Sequence, residues 1–432
     1  MDERRQIRFD QLLEEPVRNG IYKPKPFHGA GSKIVNMGEL FAYPRLRSVC
    51  MKRVQLLQAE IDRFGLARGD LLFARRSLVA SGAGKCSIVL EVDEPTVFES
   101  SIIRARPDVD RASPAFLYYY FNSPAGRYQL GTILRQVAVA GITGKDLSQL
   151  RIPIPPLMEQ HAIAFILGAL DDKIELNRKM NETLEAIARA VFKSWFVDFG
   201  PVRAKAEGRD TGLPAEIAEL FPDSFEESEL GEIPSKWRAG ILGDIIAQIS
   251  ERLNGEEAEV LSAVASGRLV RSEEHFNKRV HSQDISRYLR VLPGDFAYNP
   301  SRINIGSIGT HEGVALGAVS PVYVVFRTQP DYRWFMWFCL RKSSTSRWIQ
   351  TLASGSVRQS LSYRDFASIP CVIPPNAAIA AFNSIWTVFR QSIICRSEEC
   401  ETLDSVRDLL LPKLISGELR IPDAERIVEE VI

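Results

Sequence analysis

From Ile163 to Trp195, ten positions follow one another at alternating steps of four and three residues: Ile163, Leu167, Leu170, Ile174, Asn177, Asn181, Leu184, Ala188, Val191 and Trp195. Ten more do the same from Phe382: Trp386, Phe389, Ile393, Arg396, Cys400, Leu403, Arg407, Leu410 and Leu414 complete that set. A 3.5-residue period held this long is a coiled-coil seam, not the face of a globular helix. Two such seams in one chain can bury each other, and the long intervening stretch lets the chain reverse, so antiparallel pairing is expected. Asn177, Asn181, Arg396 and Arg407 cost seam stability; they can fix its register, and a position on the helix edge in solvent stays open for them. A helix from Glu159 to Asp198 would run about 60 Å at ~1.5 Å per residue. That is close to two duplex turns of ~34 Å, so the pair reads as a spacer.

The two seams lie 219 residues apart, and the same offset begins before them. GKDLSQLRIPIPP (144–156) aligns with YRDFASIPCVIPP (363–375), pairing Asp146 with Asp365 and Pro155-Pro156 with Pro374-Pro375. Upstream, GDLLFA (69–74) resembles GDFAYN (294–299). Matches in the same order argue for an internal duplication. Short apolar runs such as SIVLEV (87–92) and VSPVYVVF (319–326) alternate with helical pieces such as PAFLYYYFNS (114–123). The expected class is therefore α+β with a pseudo-twofold repeat. Its parts are a first globular block (1–153), a central helix (154–199), a linker (200–229), a second block (230–373), a C-terminal helix (374–418) and a tail (419–432).

Lys+Arg and Asp+Glu balance at 54 each, but the balance hides segregation. Net charge is +7 over 1–155, −7 over 156–229, +4 over 230–375 and −4 over 376–432. Basic blocks suit a polyanion, although solvated faces alone could produce the same pattern. No run approaches the ~18 apolar residues of a membrane span, and MDERRQIRFD lacks a signal-peptide core. A cytoplasmic protein without a membrane partner is expected. Six cysteines form no CxxC pair, and none of the five histidines joins them at ligand spacing, so no metal is expected.

Catalytic signatures are weak. YNPSR (298–302) lacks the second Pro and the aromatic residue of an amino-methyltransferase loop. SGAGKC (81–86) lacks the first Gly and the Ser/Thr of a phosphate loop. No residue is assigned as catalytic. Polar loops are the positive finding. Arg75, Arg76 and Lys85 flank the loop after GDLLF, while Tyr298, Asn299, Arg302 and Asn304 follow GDF. A second polar turn precedes each Pro pair, with Lys145 in the first and Arg358 and Gln359 in the second. Arg and Asn can read guanine and adenine edges bidentately, so these ten residues are candidate DNA contacts. Clamping phosphates, or merely facing solvent, stays open for each.

The segment IPIPPLMEQHAIAFILGALDDKIELNRKMNETLEAIARAVFKSWFVDF (152–199) resembles the central region of Type I restriction–modification specificity subunits. LLLPKLISGEL (409–419) is similar to their C-terminal region, and RNGIYKPKPFHG (18–29) and FNSPAGR (121–127) to their target-recognition domains. The resemblance implies two recognition domains, each reading half of a split DNA sequence, and assembly with two modification subunits and with restriction/translocase subunits. S-adenosylmethionine, ATP and Mg would sit on those partners and none in this chain, which would direct adenine-N6 methylation and restriction. The second half departs from the pattern, since NAAIAAF follows Pro375 where LMEQ follows Pro156. Two other readings stay open: a self-sufficient DNA methyltransferase or nuclease, and a coiled-coil DNA-binding scaffold or repressor.

Overall fold

A computed structural model describes residues 5–77, 82–136, 140–275, 284–353 and 360–431. The chain divides into two compact units, residues 1–179 with 395–432, and residues 180–394. Each unit joins one globular block to part of each long helix.

The first unit is built on a five-stranded sheet in the order Leu13–Asn19, Ile102–Pro107, Leu71–Ala74, Cys86–Val89, Arg45–Leu46. The second unit has a four-stranded sheet in the order Ile246–Ile249, Val324–Thr328, Phe296–Tyr298, Ile308–Thr310. The first four strands of one match the four of the other in order. The conserved detail between the repeats lies in the GD pair. Gly69 and Gly294 hold positive φ of 93° and 98°, a conformation that glycine adopts without steric cost. The next residue, Asp70 or Asp295, is fully buried and closes its own turn, accepting from the N–H of Ala67 (2.7 Å) or Leu292 (2.8 Å). Each carboxylate also takes a two-pronged hydrogen bond from an arginine of the neighbouring strand, Arg106 (2.7 and 2.8 Å) or Arg327 (2.6 and 2.9 Å). Burying a carboxylate is tolerable only with such partners. Each GD turn is thus a structural anchor at the head of a central strand.

The duplication continues to the helices. Thr143 and Ser362 cap short helices by accepting from the N–H of Asp146 (3.1 Å) and Asp365 (3.2 Å). Strands Arg151–Ile154 and Pro370–Ile373 follow, paired antiparallel with Arg5–Arg8 and Arg238–Ile241. The Pro pairs then end the strands, and long helices begin at once, Leu157–Phe196 and Asn376–Ser416.

Pairing of the helices is antiparallel, as expected from the long intervening stretch. In the first unit Asp171 meets Arg407 (2.8 Å), Cys400 lies against the Ile174 carbonyl, and Asn177 meets Glu399 (2.8 Å). In the second, Asn181 donates to the Ile393 carbonyl (3.3 Å), and Phe192 packs on Phe382 with ring centroids 5.5 Å apart. Ile163, Leu167, Leu170, Ile174, Leu403, Leu410 and Leu414 are buried in the first unit, and Trp195, Phe382 and Trp386 in the second. Leu184, Phe389 and Ile393 are half-buried. Ile166, Asp171, Phe192 and Phe196 are buried as well, outside the seam. A two-position seam is therefore too narrow a description, because each globular block covers a second face of its helix. Segment 200–229 carries two short helices, Gly200–Ala206 and Ala215–Ala218. Residues 419–432, expected as a tail, contain the helix Ile421–Glu429, whose Ala424 and Val428 are buried in the first core.

Candidate nucleic-acid interface

In the first unit, the buried strand Leu71–Ala74 delivers Arg75 and Arg76 to its open end. Arg75 is held on both sides: its N–H donates to the Ser101 carbonyl (2.8 Å), its carbonyl accepts from Ile142 (3.0 Å), and Nη1 reaches the Ser100 carbonyl (3.3 Å). Arg76–Ser77 then pairs with Ala140–Gly141, which pairs in turn with Arg135–Gln136. Two polar segments about 60 residues apart in sequence therefore form one small sheet. Glycine is required at 141, since a Cβ there would stand 2.8 Å from the Arg75 carbonyl oxygen. Arg76 is exposed and has no ion-pair partner among the described residues. Lys145 is exposed on the short helix Gly144–Ser148. Asp146 beside it is held below the usual carboxylate range by the Thr143 hydroxyl and by Arg135 (2.7 Å).

Lys85 does not belong to this surface as expected. Its amine donates to the Phe41 carbonyl (3.0 Å) and lies over the Phe41 ring, and burial lowers its pKa. Lys85 is thus half-buried and tied to Phe41 rather than presented as the exposed loop cation expected.

In the second unit the strand Phe296–Tyr298 delivers the corresponding loop. Tyr298 is fully buried against Phe366 (5.2 Å), burial pushes its phenol up, and its hydroxyl donates to the Leu361 carbonyl (3.3 Å). It cannot touch DNA. Instead it ties the loop after GDF to the segment before the Pro pair, as does the Leu361 N–H to the Pro300 carbonyl (3.1 Å). The second unit thus repeats the juxtaposition of the first by different bonds. Asn299 shapes the loop, its Oδ1 accepting from the Ser301 N–H (3.0 Å). Arg302 and Asn304 are exposed. Asn299 and Arg302 border a polar recess of about 370 Å³, lined also by Ser262, Ser272, Tyr288 and Ser320. Arg358 and Gln359 lie outside the described residues.

Sequence reasoning missed two features. Arg45 and Arg47 bind Asp172 and Glu175 of the first long helix at 2.7–3.0 Å, so they fasten the first block to it. The stretch from Pro16 to Gly38 carries no acidic residue and presents Tyr22, Lys25 and Phe27 to solvent. That missing negative charge was the available signal. Among the described residues, no group of three His, Cys, Asp or Glu is placed to hold a metal, and no helix is long and apolar enough to cross a membrane.

A family model described as a Type I restriction modification DNA specificity domain matches residues 21–186. The HindI specificity subunit of Haemophilus influenzae, a Type I restriction enzyme subunit, is 25% identical over 82% of this chain and 87% of its own length. The MjaIX specificity subunit of Methanocaldococcus jannaschii is 27% identical over 71% of this chain and 69% of its own. A crystal structure of a Type I restriction–modification S subunit from M. genitalium superposes with a TM-score of 0.53 at 16% identity, covering 95% of both chains. At that identity the likeness concerns the fold alone.

Proposed function

We propose that this chain, which belongs to the family of Type I restriction–modification specificity subunits, reads a bipartite DNA target, one half with each globular block. The carrying observation is the duplicated juxtaposition: in each unit a strand anchored by a buried GD aspartate brings its loop against the segment preceding the Pro pair. The anchor is shared, whereas the exposed side chains differ: Arg76 and Lys145 in one unit, Arg302 and Asn304 in the other. A fixed frame with unlike reading residues suits two unlike half-sites. Exposed arginine and asparagine supply the bidentate donors and acceptors for base edges.

The paired helices act as the spacer and as the platform for two modification subunits, with restriction/translocase subunits joining the complex. Methylation and cleavage belong to those partners, together with S-adenosylmethionine, ATP and Mg, so the chain alone binds DNA without modifying or cutting it. Exchanging residues 1–150 for another recognition block, in the chain assembled with its modification subunit, tests this directly. One half-site changes and the other stays. Alteration of both halves would contradict independent reading.

A further inference from the structure

Between Pro16 and Gly38 the chain holds Arg18, Lys23, Lys25, Lys33 and His28 and no acid. Most of these cations are matched from elsewhere: Lys23 by Glu60 (2.7 Å), Lys33 by Asp93 (2.9 Å) and Arg18 by Glu15 (3.3 Å). Lys25 is exposed and has no ion-pair partner among the described residues. It stands on a projecting arm. After the buried Ile21, residues 24–31 are all exposed, and Tyr22 keeps 76% of its surface in solvent. No hydrogen bond ties down the Tyr22 hydroxyl among the described residues.

The arm is nonetheless stiff. Pro24 and Pro26 restrict its backbone, and Lys25–Phe27 forms a 3₁₀ turn closed from Phe27 N–H to the Pro24 carbonyl (3.1 Å). His28 Nε2 lies 3.0 Å from the Lys23 carbonyl oxygen. The return strand bulges, because His28 and Ser32 both stand opposite Val54, with Gly29 and Gly31 at φ 109° and 93°. A Cβ on Gly31 would meet the Val54 carbonyl oxygen at 2.5 Å. Gln55 N–H bonds the Phe27 carbonyl (2.8 Å), and Arg53 bonds that of Gly31 (2.7 Å). A stiff projection has already lost the conformational freedom that binding would otherwise remove.

Its root lies beside the candidate reading loop. Gly20 and Ile21 donate to the carbonyls of Ile102 (3.0 Å) and Phe98 (2.9 Å), while Arg75 holds those of Ser100 and Ser101. Arm and loop therefore spring from one segment, residues 98–102. We propose that the arm Tyr22–Gly31 is a second DNA-contacting element of the first block, with Lys25 on a phosphate and Tyr22 packed against a sugar or base. This rests on the DNA-recognition reading above. Lysine is depleted in the cores of protein–protein interfaces, whereas an unmatched lysine beside exposed aromatic rings is a common arrangement on nucleic acid.

The test uses the full chain assembled with its modification subunit, on duplexes with and without the mapped target, across a salt series. Lys25→Gln weakens binding to both duplexes alike and lowers the slope of log K against log salt by about 0.9, one phosphate contact. Tyr22→Ala weakens target binding about tenfold, a stacking contact of ~1.4 kcal/mol, and leaves that slope unchanged. Thermal unfolding and assembly mass confirm that both variants fold and assemble. If wild type discriminates its target and both variants match it in affinity and slope, the arm proposal fails alone. Loss of assembly with DNA affinity intact also overturns it, in favour of a protein-docking arm. If wild type itself discriminates no target, the parent reading fails and takes the arm with it.

Discussion

The two units share a frame but differ in what they add to the apolar contact between block and helices. In the first, the addition is polar, on top of an apolar core that Ile163, Leu167 and Leu170 of the helix share with Phe116 and Leu117 of the block. The Tyr119 hydroxyl donates to Asp171 (2.7 Å), Arg407 binds the other oxygen of that carboxylate (2.8 Å), and Arg45 and Arg47 clasp Asp172 and Glu175. In the second it is aromatic: Phe192 and Phe196 of one helix and Phe382 and Trp386 of the other enclose Phe335 and Phe338 of the block. The same topology therefore needs no particular contact chemistry, only a satisfied interior. Polar attachments demand defined geometry of each partner, while apolar ones depend on filled volume.

The largest effect should come from emptying the aromatic cluster. Phe382 is fully buried, so Phe382→Ala should cost about 3–5 kcal/mol through lost transfer energy and a cavity. Hydrogen exchange should show the loss in residues 180–394, and equal loss in both units would contradict separate cores. Asp171→Ala comes next, at about 2 kcal/mol, because Tyr119 loses its acceptor while Arg407 keeps Asp404 and Asp408. The loss should appear in the first unit, and Asp171→Asn should restore part of it. The smallest effect concerns acid. Lys173, and then Asn177, hold Glu399 below the usual carboxylate range. A depressed carboxylate stabilises the fold above its unfolded value of about 4.3, and that contribution disappears as pH falls through the lower folded value. Glu399→Gln should thus cost roughly 1 kcal/mol or less at pH 7 and nothing near pH 2. An equal deficit at both pH values would remove the charge from the explanation.

The helices were legible because a 3.5-residue period needs no tertiary context, and their antiparallel pairing because the long stretch between them lets the chain reverse. So was the duplication, whose offsets could be read by eye. Site residues were less legible, for reasons that differ by position. Tyr298 sits in a strand whose residues Phe296, Ala297 and Tyr298 are all buried, so strand alternation could not separate inward from outward. Lys85 looked like a loop cation, but its partner is a carbonyl 44 residues upstream. The GD pair was visible as a repeat, yet its purpose depends on Arg106 and Arg327, which lie more than 30 residues downstream of each aspartate. The arm around Lys25 was detectable only as a run without acids, a signal that says nothing of projection or stiffness.

The central claim is that two unlike half-sites are read by two copies of one frame. Co-expressing the chain with its modification subunit and mapping N6-methyladenine across a plasmid by long-read sequencing tests it most directly. The account predicts one split motif with two different halves and a constant gap. A continuous motif, or methylation without sequence preference from a stable complex, would contradict it.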